Sequence, residues 1–198
     1  MRAYLLTTTA TMALLAVLSK PAQAQVRTWI SPFAGDWTNA TNWNPGFVPT
    51  AADDAVINKG GTTALVTTSG ATARSLTLGQ SAGDSGTVAI GAGGLLTTIG
   101  GAIIGLGGTG TVNLTNGGTL TDGAGFVGNL PGSQGTVTVS GAGSTWTNTG
   151  TLVVGGLGTG TLTIQDGGAV NQRWRRLGRI VCRLNGYGDC ERRGLHLE

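Results

Sequence analysis

The chain has 198 residues, 37 of them Gly, with 11% charged and 5% aromatic side chains, a Gly excess that fits neither the three-residue period of collagen nor an ordinary α/β core. The net charge of +3 sits at the two ends: residues 25–170 carry Arg27, Lys59 and Arg74 against Asp36, Asp53, Asp54, Asp84, Asp122 and Asp166, so the body has no basic stripe for a nucleic-acid partner. The same stretch holds neither Cys nor His, which excludes from it a Cys/His metal centre, a Cys nucleophile, a His general base and any disulfide.

The first element is an export signal. Arg2 gives a positive start, Met12 to Leu18 is an apolar run, and Ala22-Gln23-Ala24 is a small-x-small cleavage site. A membrane anchor is the weaker reading. The run is about a third of the ~20 residues a span needs, and Lys20 follows close behind it. Cleavage is expected between Ala24 and Gln25.

Residues 25–57 form a Trp-rich entry segment with Trp29, Trp37 and Trp43, turn-forming Asn-Pro-Gly and Val-Pro groups, and a first strand at Val56-Ile57. The favoured reading is a cap over an exposed first coil. The competing reading is a glycan platform, for which Trp29, Trp37, Trp43 and the later Trp146 are the candidate contacts. Asp53 and Asp54 are neighbours, so on a strand they point to opposite faces and do not act together on one substrate.

Residues 58–170 repeat. Gly-Thr pairs begin at Gly86, Gly110, Gly135 and Gly160, each followed by a short alternating run: TVAI, TVNL, TVTV and TLTI. Alternation puts Val88/Ile90, Val112/Leu114, Val137/Val139 and Leu162/Ile164 on one side. A second apolar position recurs at Leu96, Leu120, Trp146 and Val170. A third run, Ile103-Ile104, Phe126-Val127 and Val153-Val154, ends each time in Gly, and Leu76-Thr77-Leu78-Gly79 is an earlier copy. Three strands and three turns in ~25 residues predict one coil of an all-β, right-handed parallel β-helix. Gly supplies its positive-φ turns, and Thr and Asn form ladders outside.

The stretch GSQGTVTVSGAGSTWTNTGTLVVGGLGTGTLTIQDGGAV (residues 132–170) resembles the repeat of type V secretion (autotransporter) passenger domains and PEP-CTERM-associated surface proteins. The segment around DWTNATNW and VPTAADDAVI is similar to the N-terminal region of such passengers. The resemblance implies a non-catalytic structural or adhesive passenger, secreted or held at the outer-membrane surface, and periplasmic if export stops there. It also implies more repeats and an outer-membrane barrel, and the chain as written carries no barrel pattern. The partners to expect are extracellular polysaccharide or a host or abiotic surface, with no cofactor. A β-helix enzyme that cleaves polysaccharide ranks last, because Asp122 and Asp166 fall on different faces.

Other motifs are incomplete. Gly107-Gly108-Thr109-Gly110-Thr111-Val112 resembles the start of a calcium-binding nonapeptide, but Val112 stands where the ligand Asp belongs. Gly91-Ala92-Gly93-Gly94 lacks the Lys-Ser/Thr of a phosphate loop, and Ser140 and Ser144 have no His for a triad.

Residues 171–198 break the pattern, with seven Arg and with Cys182, Cys190 and His196. A basic tail or a Cys182–Cys190 disulfide would account for parts of this. A better account lies in the codons. Back-translated with suitable codons and read one base later, Arg183 to Leu197 spells GSTGTVTVSGAGSTW, against GSQGTVTVSGAGSTW at residues 132–146. The tail is therefore expected to be out of frame, and no site is assigned to its Cys, His or Arg residues.

Overall fold

The computed structural model describes residues 24–172. They form a parallel β-solenoid of stacked coils. The expected signal before Ala24 and the tail residues Cys182, Cys190 and His196 lie outside the described residues.

Three strand faces make each coil. The first face is a six-stranded sheet of β2 (Gly35–Asp36), β5 (Ala64–Val66), β7 (Ser85–Ile90), β9 (Thr109–Thr115), β12 (Gln134–Ser140) and β15 (Thr159–Gln165). The other two faces belong to one ten-stranded sheet. Its strands are β1 (Val26–Trp29), β3 (Trp43–Asn44), β4 (Asp54–Ile57), β6 (Ala71–Leu78), β8 (Leu95–Ile104), β10 (Thr119–Asp122), β11 (Gly125–Val127), β13 (Thr145–Asn148), β14 (Leu152–Val154) and β16 (Ala169–Gln172). The long strands β6 and β8 run round a corner. The first half of β8 pairs with β10 and the second half with β11.

The repeat positions stack as their alternation requires. Val88 pairs with Val112, Val112 with Val137, and Val137 with Leu162. Leu96, Leu120, Trp146 and Val170 form a second column, and Leu78, Ile104, Val127 and Val154 a third. Parallel ladders set neighbouring strands ~4.8 Å apart, so each inward side chain lies directly on its counterpart in the next coil. Thr87, Thr111, Thr136 and Thr161 stack outside in the same register.

Two kinds of Gly make the corners. Gly105 and Gly128, which end the third strands, have φ of 77° and 69°, a conformation Gly adopts without strain. Gly thus supplies positive-φ turns as expected, and the Gly of each Gly-Thr pair serves a second purpose. A Cβ on Gly135 would lie 2.3 Å from both the Gly128 amide nitrogen and the Ile104 carbonyl oxygen. These Gly residues admit the neighbouring backbone across a tight corner.

The entry segment is part of the solenoid. The first strand is β1, not Val56-Ile57: β1 pairs parallel with β4, and β2 pairs parallel with β5. The chain then folds back so that β3 pairs antiparallel with β1 on its outer edge.

Gly135→Ala is expected to destabilise the fold by roughly 3 kcal/mol or more, the upper range for overpacking against a backbone that cannot yield. Gly91→Ala, with nothing near its Cβ position, is expected to be close to neutral. Urea denaturation of the two variants checks this; equal effects would remove the close-approach explanation.

Candidate functional site

Apart from Lys59, whose ammonium donates to the Ile30 carbonyl at 3.3 Å, the titratable groups of the body fall at two places in the coils and in three single turns. At the entry, Asp53 is buried and accepts hydrogen bonds from the backbone amide and hydroxyl of Thr50, at 3.0 and 2.6 Å. It also pairs with Arg27 Nη2 at 3.3 Å. Burial pushes its carboxyl up, but the Thr50 hydroxyl, the Thr50 amide and the Arg27 charge together hold it below the usual carboxylate range. The Arg27 guanidinium lies 5.3 Å from the centre of the Phe47 ring, in cation–π range. Asp54 faces elsewhere, pairing with Arg74 and accepting from Ser75. The two adjacent carboxylates thus have separate partners.

The second place lies inside the coils. Thr98, Asp122 and Asn148 share one register column and are 0–1% exposed, so polar side chains sit here where the columns beside them are apolar. Asn148 Nδ2 donates to Asp122 Oδ1 at 2.7 Å, and Asn148 Oδ1 accepts from the Gly150 amide at 3.2 Å. The Asp122 carboxyl is pushed up to about 6: burial dominates, and Asn148 and the Trp146 indole N–H oppose it only in part. Neither Asp122 Oδ2 nor Trp146 Nε1 has a hydrogen-bond partner, so the indole acts on the carboxylate by proximity. Thr98 Oγ1 is likewise unpaired.

The remaining acids serve turns. Asp36 accepts from the Thr38 hydroxyl and amide, both at 2.7 Å, which hold its carboxyl below the usual range. Asp84 accepts from the Ser81 amide. Asp166, at φ 52° in the turn after β15, accepts from Ser140 Oγ at 2.9 Å. Ser144 is buried, donates to the Ser140 carbonyl and accepts from the Gly117 amide. Asp122 and Asp166 therefore lie apart, one inside a coil and one in a turn. Among the described residues no group of three or more His, Cys, Asp or Glu could hold a metal ion.

The candidate glycan contacts are corrected by burial. Trp29, Trp37, Trp43 and Trp146 are 0–1% exposed, and none presents a ring face to solvent. Trp43 packs edge-on against Trp29 and Trp37, with ring centres 5.1 and 4.7 Å apart. Its indole N–H donates to the Trp37 carbonyl, and that of Trp29 to Thr62 Oγ1. These three indoles fill the first coil from within, and Trp146 fills a later one. The spacing of Trp146 sets it in the column of Leu96 and Leu120, which points inward. Alternation carries the same signal for the polar column, since Asp122 lies two positions beyond Leu120 and Asn148 two beyond Trp146. Comparison with protein-family models, curated proteins and solved structures gives no match.

Because the folded-state pKa of Asp122 lies above its usual 3.8, the folded protein holds a proton the unfolded chain releases. Stability from this group is therefore greatest below pH ~4 and falls as pH rises to about 6, by about 3 kcal/mol. Asp122→Asn keeps the shape and removes that slope, so the variant is expected to gain on the parent steadily from pH 4 to 6 and to stay ahead at pH 8. Denaturant melts across this range check it; parallel pH profiles would show that the Asp122 carboxyl has the same pKa in the folded and the unfolded chain.

Proposed function

We propose that this chain is a non-catalytic scaffold, the structural or adhesive passenger portion of a bacterial surface protein. One observation carries the reading: each of the six acids between residues 25 and 170 is already engaged in holding the fold. Asp36 and Asp84 close turns, Asp166 binds Ser140 of the preceding coil, Asp53 and Asp54 bind the entry coils, and Asp122 sits in the interior. A hydrolytic site needs a carboxylate left free to face substrate, and these have structural partners or are buried. What the coils offer instead is repetition. The stacked Thr87, Thr111, Thr136 and Thr161 place one short polar side chain per coil at a fixed spacing along the outside.

The sequence resemblance to type V secretion and PEP-CTERM-associated passengers supports placement at or beyond the outer membrane. It also supports polysaccharide, or a host or abiotic surface, as the thing contacted. Buried indoles move any such contact away from the Trp residues and onto the Thr ladder. An affinity built on that ladder is small per coil and grows with the number of coils engaged.

The test is adsorption and turnover on a panel of bacterial and plant polysaccharides and on glass and polystyrene. The chain is expected to adsorb without releasing reducing ends. Replacing Thr111 and Thr136 by Asp should lower adsorption at least several-fold with an unchanged far-UV spectrum. Release of reducing ends, lost on replacing one of the six Asp residues, would overturn the scaffold reading.

A further inference from the structure

The last described coil presents a face that the described coils before it have covered. Ile164 of β15 is 46% exposed, whereas Val139, its partner in β12, is fully buried. Leu162 and Val170 are half-buried where Val137 and Trp146 are fully buried. Among the described residues, β15 and β16 have a strand neighbour on one side only. At the entry, β3 and the three indoles close the stack; this end has the side chains and the open ladder of an interior coil.

We infer that this face is built for a seventh coil of the same repeat, and that the gene still encodes that coil one base out of frame. Two features of the sequence name the occupant. The first has no codon freedom. Trp174 has the single codon TGG and is followed by Arg175, whose codon begins with A or C. Read one base later, TGG therefore becomes GGA or GGC, both Gly. Trp174 lies two places after Gln172, which pairs in register with Asn148, and two places after Asn148 is Gly150. The shifted frame thus restores Gly at the point where the preceding coil has it, which sets the slip between Gln172 and Trp174.

The second feature is the run from Arg183 to Leu197. In the shifted frame it can spell GSTGTVTVSGAGSTW, which differs from residues 132–146 at one position of 15. Its Gly-Thr pair falls at codons 186 and 187, about one coil after Gly160-Thr161. Valine at codons 188 and 190 then stacks on Leu162 and Ile164, the two side chains left part-open on β15. Between these runs, Arg176 to Arg179 admits Val-Leu-Val-Gly, the apolar third run and its closing Gly. The spacing of all three runs matches the spacing of the ladder they would join.

The experiment begins with the coding DNA. Codons from 174 onward must spell the repeat when read one base later; codons that do not would end the proposal. The 198-residue chain is then compared with a frame-restored form made by removing one base between codons 172 and 174. The restored form should melt higher by roughly 5 °C and bind several-fold less of a dye specific for exposed apolar surface. Ile164→Asn should change the melting of the 198-residue chain little and should erase most of the gain in the restored form. Equal melting of the two forms would overturn the assignment. So would a melting temperature of the 198-residue chain that rises with concentration and loses that dependence in Ile164→Asn, because a second copy would then be the occupant of the face.

Discussion

The parallel ladder between successive coils governs this molecule. One coil of ~25 residues has too little interior to bury its own apolar side chains, so Val112 is covered by Val88 on one side and Val137 on the other. A ladder of this kind tolerates no drift. A slip of one residue would turn Val112 and Leu114 outward and Thr111 and Asn113 inward. The Gly residues at the corners keep each coil the same length along its path. Gly135 does so by letting the backbones of Gly128 and Ile104 approach to distances no Cβ permits. The small Val, Ile and Leu side chains and the Gly count are consequences of that one requirement.

The polar column is the exception and shows what the ladder can absorb. Asp122 and Asn148 occupy inward positions and bind each other across one coil step. A carboxylate buried at that depth opposes folding when charged, and its raised pKa expresses that opposition. Asn148 offsets part of it, while Asp122 Oδ2 and Thr98 Oγ1 are left without partners. Stability at neutral pH is therefore lower than the apolar columns alone would set, and the acid range favours the interior. The entry pair works in the opposite sense, because the carboxyl of Asp53 is held down by Thr50 and Arg27 and its contribution is lost on acidification.

Much of this was legible in the sequence where the repeat runs. The Gly-Thr pairs and the alternating runs after them place β7, β9, β12 and β15 in their observed register, and the third runs place β11 and β14. Legibility fails where the repeat is absent. Val26–Trp29 shares no motif with later coils, so its parallel pairing with β4 could not be read, and the favoured cap reading of Trp29, Trp37 and Trp43 did not extend to their filling the first coil from within. An aromatic residue looks the same in a sequence whether it fills a coil or faces a ligand. Only register decides, and for Trp146 register was available. The Gly-Thr glycines were legible as a period but not as a contact, since their need arises between residues distant in sequence.

The central claim is that each coil is held by its neighbours, and native-state hydrogen exchange tests it strand by strand. In the 198-residue chain the amides of Val112 and Leu114 in β9 and of Val137 in β12 should be the slowest, exchanging only with global unfolding. Those of Leu162 and Ile164 in β15, which among the described residues is laddered on one side, should exchange at least tenfold faster through local opening of that coil. Protection in β15 equal to that in β9 would contradict the account, because it would mean that a coil is stable without a neighbour on each side.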